Sequence, residues 1–585
     1  MYPYGLIGNC QASALVNHNG SIDWLCFPKP DSPPVFGRLL DEEGGAFTIQ
    51  PEGDFRCEQH YLHNTNVLVT MVKQADGSAY QITDFCPRFL QFGRIYRPNS
   101  LFRIVERISG NPVIRVSCHP ISGWDKKYSR KVRGSSHIRW EIRNEDLRLL
   151  TNMSLTYLEE ETAFALQEPV YFGLSWGVGI EDDIARVSQQ FLEQTVDYWR
   201  IWVKHCSIPS LYQKETIRSA LALKLHCFED TGAILAASST SLPEELGGSR
   251  NWDYRHCWLR DAYFVLSAFR SLGHFEEMEG FLKFLLNVAH NREISRLSPV
   301  YSLSQSLPVP ETEHAGWGGY GQSQPVRSNN QAAEHVQNDV YGEMILTLAP
   351  IFLDERFHHL RTKAHEGLIS HLARLCDQNI SKPDAGLWEL RNGWQEHSFS
   401  NLMCWAGLDR AQKIREAGHF PDGEQDFSAM RLRAEVAVRA AIQDGSLRNG
   451  PNDPSLDSAL LQLPILRFPD HEMNLATVRK IRQDLMIETH GFLYRYKRKD
   501  DFGAPGSAFL ACSYWLVQAH AALGEIDEAT EIMKCTVQAA NRVGLLSEHY
   551  DPVRGEQRGN FPQTYSHVGQ INSAFAISPA WEKVL

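Results

Sequence analysis

The sequence predicts two parts, an antiparallel β domain of sandwich type followed by an all-helical domain, on three observations. Up to about residue 190 the apolar residues fall in short alternating or β-branched runs cut by turn residues, the period-2 mark of strands. From about Lys214 onward they recur at helical spacing almost without a break. Between the two, Ala185–His205 carries Phe191, Val196, Trp199 and Trp202 at helical spacing and reads as a linking helix. The expected boundaries are 1–190 for the β domain, 191–212 for the linker and 213–585 for the helical domain.

Each element has its own warrant. Asn66–Gln74 and Ala79–Phe85 flank an Asp76–Gly77 turn and read as a hairpin. Leu101–Ser109, Val113–His119 and Pro169–Gly177 add strands. From Cys257, the residues Trp258, Ala262, Val265, Leu266, Phe269 and Leu272 share one stripe that Gly273 stops. Further helices are expected in Glu276–Arg292, Gln331–Pro350, Glu355–Asp377, Asn401–Ala417, Asp426–Asp444, Asn474–Ile487, Pro505–Leu523, Asp527–Asn541 and beyond Gln563. They lack the fixed short period of a solenoid, and Gly-rich, aromatic loops separate them, where a scaffold usually keeps its chemistry.

Composition narrows the function. A content of 43% hydrophobic and 22% charged residues is that of a globular chain, which excludes disorder and coiled coil. The net charge of −12 argues against nucleic acid or an anionic membrane as partner. No apolar run reaches the length of a membrane span, and Met1 to Cys26 hold no secretory signal pattern. The 12 cysteines are scattered with no CxxC, so a cytoplasmic protein with reduced thiols and no metal site is expected. The one GxGxxG, at Gly316, Gly318 and Gly321, follows ETEHA rather than a strand, so it gives no dinucleotide site, and no cofactor is expected.

What remains is a series of loops dense in Trp, Arg and carboxylates: NWDYRHCWLRD at Asn251–Asp261, Trp317–Glu343, PDAGLWELR at Pro383–Arg391, Tyr494–Phe509 and Gly544–His567. A pyranose offers an apolar face to an aromatic ring and hydroxyls to Arg and Asp. Cleaving its glycosidic bond needs one protonated and one ionised carboxyl group. Glu389 beside Trp388 suits the proton donor, since desolvation favours the neutral acid, and Glu548 between Ser547 and His549 suits the base. Either Glu alone reads as a surface charge or cap, and Arg260–Asp261 alone as a helix cap. Five such loops at successive helix junctions change that reading.

These motifs resemble glycoside hydrolase family 15, the glucoamylase, glucodextranase and trehalase group, over nearly the whole chain. The opening IGNCQASALVNHNGSIDWLCFPKPDSPPVFGRLLD is similar to its bacterial intracellular members, and NWDYRHCWLRDA, GLWELR, DFGAPGSAFLACSYWLVQA and LLSEHYDP are similar to its helical-domain motifs. The resemblance implies an N-terminal β-sandwich, a C-terminal (α/α)6 toroid and inverting hydrolysis of α-glucosides. It implies Glu389 as general acid, Glu548 as general base, Arg260 and Asp261 as holders of the terminal glucose, and Trp258, Trp317, Arg327, Trp388 and Arg495 as further pocket residues. Two departures concern the reducing-side sugar: Leu390 stands where many glucoamylases carry a second acid, and Asn401 where many bacterial members carry Lys. The expected activity is an exo-acting α-glucosidase on oligo- or polysaccharides. The alternatives are a trehalase, a phosphorylase on a related toroid, which the match at Glu548 disfavours, and a catalytically silent sugar-binding protein.

Overall fold

The computed structural model describes residues 1–290, 296–307, 309–420, 425–487 and 491–585. The expected helix Glu276–Arg292 runs as Glu276–His290, and its last two expected residues lie outside the described set.

Two antiparallel sheets form the first part. One has the strand order Tyr4–Gly8, Ser13–Asn17, Ile22–Cys26, Phe47–Pro51, Val113–Cys118, Phe164–Ala165, with Pro34–Phe36 paired to the third. The other runs Lys131–Arg133, His137–Ile142, Glu145–Thr151, Val170–Trp176, Ser100–Ser109, Ala79–Phe85, Leu68–Gln74, Phe55–Tyr61. The expected hairpin is there, with Lys73 opposite Ala79 and Leu68 opposite Asp84. Alternation assigns the layers. On Ser100–Ser109, Leu101 and Val105 enter the core between the sheets, while Phe102 and Ile104 pack with Ile184, Val187 and Val196 of the long helix Ile184–Lys204. Asp183 caps that helix by accepting from the Arg186 N–H, which fixes its start.

Helices then alternate between outer and inner positions of a closed ring. The outer ones are Gln213–His226, Glu276–His290, Lys363–Asn379, Phe427–Arg439, His471–Leu485 and Ile526–Thr536. The inner ones are Leu259–Leu272, Asp339–Leu353, Ser398–Glu416, the short pair Ser458–Leu461 and Gln462–Ile465, Leu510–Ala522 and Thr564–Ile577. Each inner segment packs on the next, and Thr564–Ile577 returns to Leu259–Leu272. This is the (α/α)6 toroid the resemblance implied. Sequence decides position: Lys363–Asn379 buries one stripe through Leu368, Ile369, Leu372 and Cys376, whereas Leu510–Val517 is buried on every face. Two inner helices meet backbone to backbone, since a Cβ on Gly342 would stand 2.0 Å from the Met403 carbonyl oxygen.

The β domain braces the loops at one end of the ring. The Tyr2 N–H donates to Gln557 Oε1 at 3.0 Å and the Tyr2 hydroxyl to the Gly559 carbonyl at 3.1 Å. Trp24 Nε1 donates to the Ser238 carbonyl at 3.0 Å, and Arg255 to that of Ser32 at 2.7 Å. Among the described residues no helix is long and apolar enough to cross a membrane, and all 12 cysteines are free.

Candidate active site

The loops preceding the inner helices enclose a cavity that opens to solvent at one end of the ring. Six carboxyl groups line it, on Glu244, Asp261, Glu389, Asp500, Asp501 and Glu548, against four guanidinium groups on Arg250, Arg260, Arg391 and Arg495. Carboxyl groups set among guanidinium groups in one cavity suit a reaction that needs one protonated and one ionised acid.

Glu389 sits at the end of a tight turn, its N–H on the Gly386 carbonyl at 3.1 Å and its backbone left-handed at φ 61°. All its donors reach one oxygen: Oε1 accepts from Trp258 Nε1 at 2.6 Å, Arg260 Nη2 at 3.1 Å and Gln337 Nε2 at 3.4 Å. Arg260 also holds Gln337 Oε1 at 2.7 Å, Asp339 at 3.1 Å and the Tyr565 hydroxyl at 3.1 Å. Asp261, one residue on, lines the cavity with its carboxyl pushed up to about 7, by burial first and by the Glu389 charge, against Arg260. Trp388 does not supply the apolar cover for Glu389 that its place in the sequence suggests. Its indole N–H turns to Asp457, at 2.9 and 3.0 Å, and its ring packs on Phe509.

Glu548 lines the same cavity. Its backbone is pinned by the Leu510 N–H on its carbonyl, at 3.0 Å, and by its own N–H on the Asn560 carbonyl, at 3.0 Å. Oε2 accepts the Asn560 N–H at 3.1 Å. Gly559, at φ +70°, makes room for this, because a Cβ there would stand 2.5 Å from Oε2. Burial, and then the charge of Glu244, push the Glu548 carboxyl up to about 8, while the Asn560 N–H and Arg495 oppose them. Glu244 is held ionised by Arg495, bidentate at 3.2 and 3.0 Å. Burial pushes the neighbouring His549 down to about 3, so its imidazole is neutral. Glu244, Glu548 and His549 offer three ligand atoms within 4.8 Å of one another, but both Glu244 oxygens are already bonded to Arg495.

Of the expected site residues, Glu389, Glu548, Arg260, Asp261, Trp258, Trp388 and Arg495 share the cavity wall. Two do not line it. Trp317 is buried against the β domain, its indole N–H on the Trp124 carbonyl at 2.6 Å and its ring against Gly37. Arg327 lies behind Trp252, 4.6 Å from that ring's centroid, and pairs with Glu313 at 2.9 Å and Glu311 at 3.3 Å. Sequence reasoning passed over Glu244, Arg250, Tyr254, His335, Arg391 and Asp500, all in the wall. Tyr254 interacts with Glu548 and lies within electrostatic reach of Glu389.

The family model for Glycosyl hydrolases family 15 matches residues 211–575, and one for a trehalase-like N-terminal region matches residues 3–147. A protein named trehalase from Mycolicibacterium smegmatis is 30% identical over 619 aligned residues, covering 99% of this chain and 91% of its own. Another from Thermoplasma volcanium is 31% identical over 613, covering 100% and 93%. A crystal structure of a bacterial glucoamylase complexed with acarbose superposes with a TM-score of 0.70 at 15% identity, covering 98% of this chain and 94% of its own, a likeness of fold. A closed helical ring, an acid-rich cavity at its loop end and a family match over most of the chain agree: this protein is a glycoside hydrolase and belongs to glycosyl hydrolases family 15.

Proposed function

We propose that the enzyme hydrolyses α,α-trehalose to two glucose molecules with inversion, Glu389 acting as general acid and Glu548 as general base. One observation carries the choice of trehalose over the end of a glucan chain: the likeness to proteins named trehalase spans the whole chain, β domain included. In the reaction, Glu389 passes its proton to the bridging oxygen as the C1–O bond breaks. Glu548 takes a proton from the water whose oxygen forms the new bond on the opposite face. The geometry of Glu389 supports its part. With all three donors on Oε1, Oε2 takes no donor among the described residues and is left to carry the proton. Inversion expects the two carboxyl groups about 6.5–9.5 Å apart, leaving room for the water.

One observation favours exchanged roles, the raised carboxyl of Glu548, so the test separates them. Glu389→Gln and Glu548→Gln are each expected to lose about 10²–10⁴ in kcat on trehalose. On α-glucosyl fluoride, whose leaving group needs no proton, Glu389→Gln recovers most of its rate and Glu548→Gln does not. The opposite pattern exchanges the roles. Proton NMR of wild-type digests of trehalose, maltose, isomaltose and maltotetraose reads substrate and anomer together. Cleavage of maltotetraose without trehalose would return the enzyme to the chain-end reading.

A further inference from the structure

We propose that His335 is a specificity residue that hydrogen-bonds the leaving glucose, in a seat whose outer wall is Arg391 stacked on Trp252. The inference rests on the reading of the substrate as an α-linked glucose disaccharide.

His335 lines the cavity and is 4% exposed, yet neither of its ring nitrogens has a hydrogen-bond partner among the described residues. Buried polar side-chain atoms nearly always have partners, and one held at the wall of a ligand cavity is placed to bond what enters. The residue is also fixed in place. It follows the short helical turn Gln331–Glu334, its N–H bonds the Ala332 carbonyl at 3.0 Å, its carbonyl accepts from Arg296, and its ring stands edge-on to Trp394 with centroids 6.0 Å apart. Burial pushes its pKa down, against the Glu389 charge, so the ring is neutral. A neutral imidazole has one donor and one acceptor nitrogen, the complement of a sugar hydroxyl.

Position assigns the sugar. The proton donor must stand beside the oxygen that joins the two rings. Arg260, bonded to Glu389, and Asp261 beside it are each 3% exposed and form the deep part of the wall. Arg391, two residues after Glu389, lies 5.6 Å from the ring centroid of Phe502, which is 36% exposed, so the wall runs outward there. The His335 ring stands edge-on to Trp394, which is 39% exposed and whose indole N–H donates to the carbonyl of Leu390, the residue between the acid and Arg391, so His335 borders that outer wall. The wall is braced. Arg391 bonds Glu311 at 2.8 and 3.0 Å, its guanidinium lies 4.5 Å from the Trp252 centroid, and its backbone N–H reaches Asp501 at 2.7 Å. Trp252 and Phe502 meet edge to face at 5.0 Å.

The test compares two substrates on purified full-length enzyme: trehalose, which fills both seats, and α-glucosyl fluoride, which brings the inner glucose alone. For His335→Ala, kcat/KM on trehalose is expected to fall at least about tenfold more than on the fluoride. His335→Gln, which keeps a donor and an acceptor, is expected to recover part of that difference. The same fold-loss on both substrates, in either variant, would overturn the proposal and leave His335 a packing residue. If the wild type cleaves the fluoride but not trehalose, the trehalose reading fails, and the same ratio taken with the α-linked disaccharide it does cleave decides the seat separately.

Discussion

Inside the sandwich, Arg103 meets Asp84 at 2.7 and 3.2 Å with neither side chain exposed, and its two terminal nitrogens also donate to the carbonyls of Phe47 and Gly20. In the cavity, Arg495 grips Glu244 in the same two-pronged way, but Arg495 Nε and His549 Nε2 have no partner among the described residues, and Glu548 stands beside the pair with a raised carboxyl. Both places bury charge. The first is a closed account of donors and acceptors, so nothing remains for a ligand. The second is left open, and a buried group with an unused lone pair or proton is one a substrate can complete. Burial of charge therefore marks structure or chemistry according to whether the network is finished.

The sharpest way to break this distinction is to open the closed pair. Arg103→Met leaves Asp84 buried without a cation and is expected to cost about 3–5 kcal/mol. At roughly 2–4 °C per kcal/mol for a domain of this size, calorimetry should show the β-domain transition lowered by about 6–20 °C. Adding Asp84→Leu to the same chain should recover most of the loss, because two apolar groups need no partner. A single variant that melts within about 2 °C of the wild type would show that the pair is not the closed unit described above.

The same distinction explains what was legible in the sequence. Both halves of the fold were, because period-2 and period-3.6 patterns are local properties of the chain: the Leu259–Leu272 helix ends at Gly273 as expected. The short inner segment Ser458–Ile465 was not, since it spans only two turns and carries Pro464. Glu389 and Glu548 were legible from the loops that hold them. Trp317 and Arg327 had the same local look, yet one packs against Trp124 at the domain junction and the other behind Trp252. Aromatic and arginine density marks buried loops in general, and only the fold says which of them face the cavity. Glu244 was invisible, for nothing in SLPEELGG sets it apart from Glu245 until Arg495, 251 residues away, selects it.

A medium-sized effect is expected on closing the open network by one charge. Burial first and the Glu244 anion second push Glu548 up to about 8. On the proposed assignment of Glu548 as the base, which works ionised, kcat/KM for trehalose should fall on the acid side as pH drops through that value. Glu244→Gln removes the anion and leaves Arg495 beside Glu548, so the limb should move to lower pH, by about one unit, equivalent to 1.4 kcal/mol. The pH dependence of kcat/KM measures it. An unmoved limb, or one displaced upward, would mean that Glu244 does not set the proton affinity of the base.

A last test concerns a third kind of pair, closed by a proton. Glu343 lies one helical turn below Asp339 with no exposed surface. Both its carboxyl oxygens and Asp339 Oδ1 lack a donor among the described residues, while Asp339 Oδ2 serves Arg260. Two acceptors cannot bond each other, so Glu343 keeps its proton. Burial first, and then the Asp339 charge, raise it well above the usual carboxylate range, with Arg260 opposing. The unfolded chain releases that proton near pH 4.3. The folded state therefore binds the extra proton, and its contribution to stability is complete below pH 4.3 and declines as pH rises toward the folded value. Glu343→Gln gives Asp339 an amide donor that has no proton to lose. Thermal melts of variant and wild type should coincide near pH 4, and by pH 8 the variant should melt higher, at about 2 °C per kcal/mol. A gap of the same size at both pH values would mean that Glu343 is ionised in the folded chain. Two bare carboxylates one turn apart would then face each other beneath Arg260, and the finished character of that pair would have to come from the guanidinium alone.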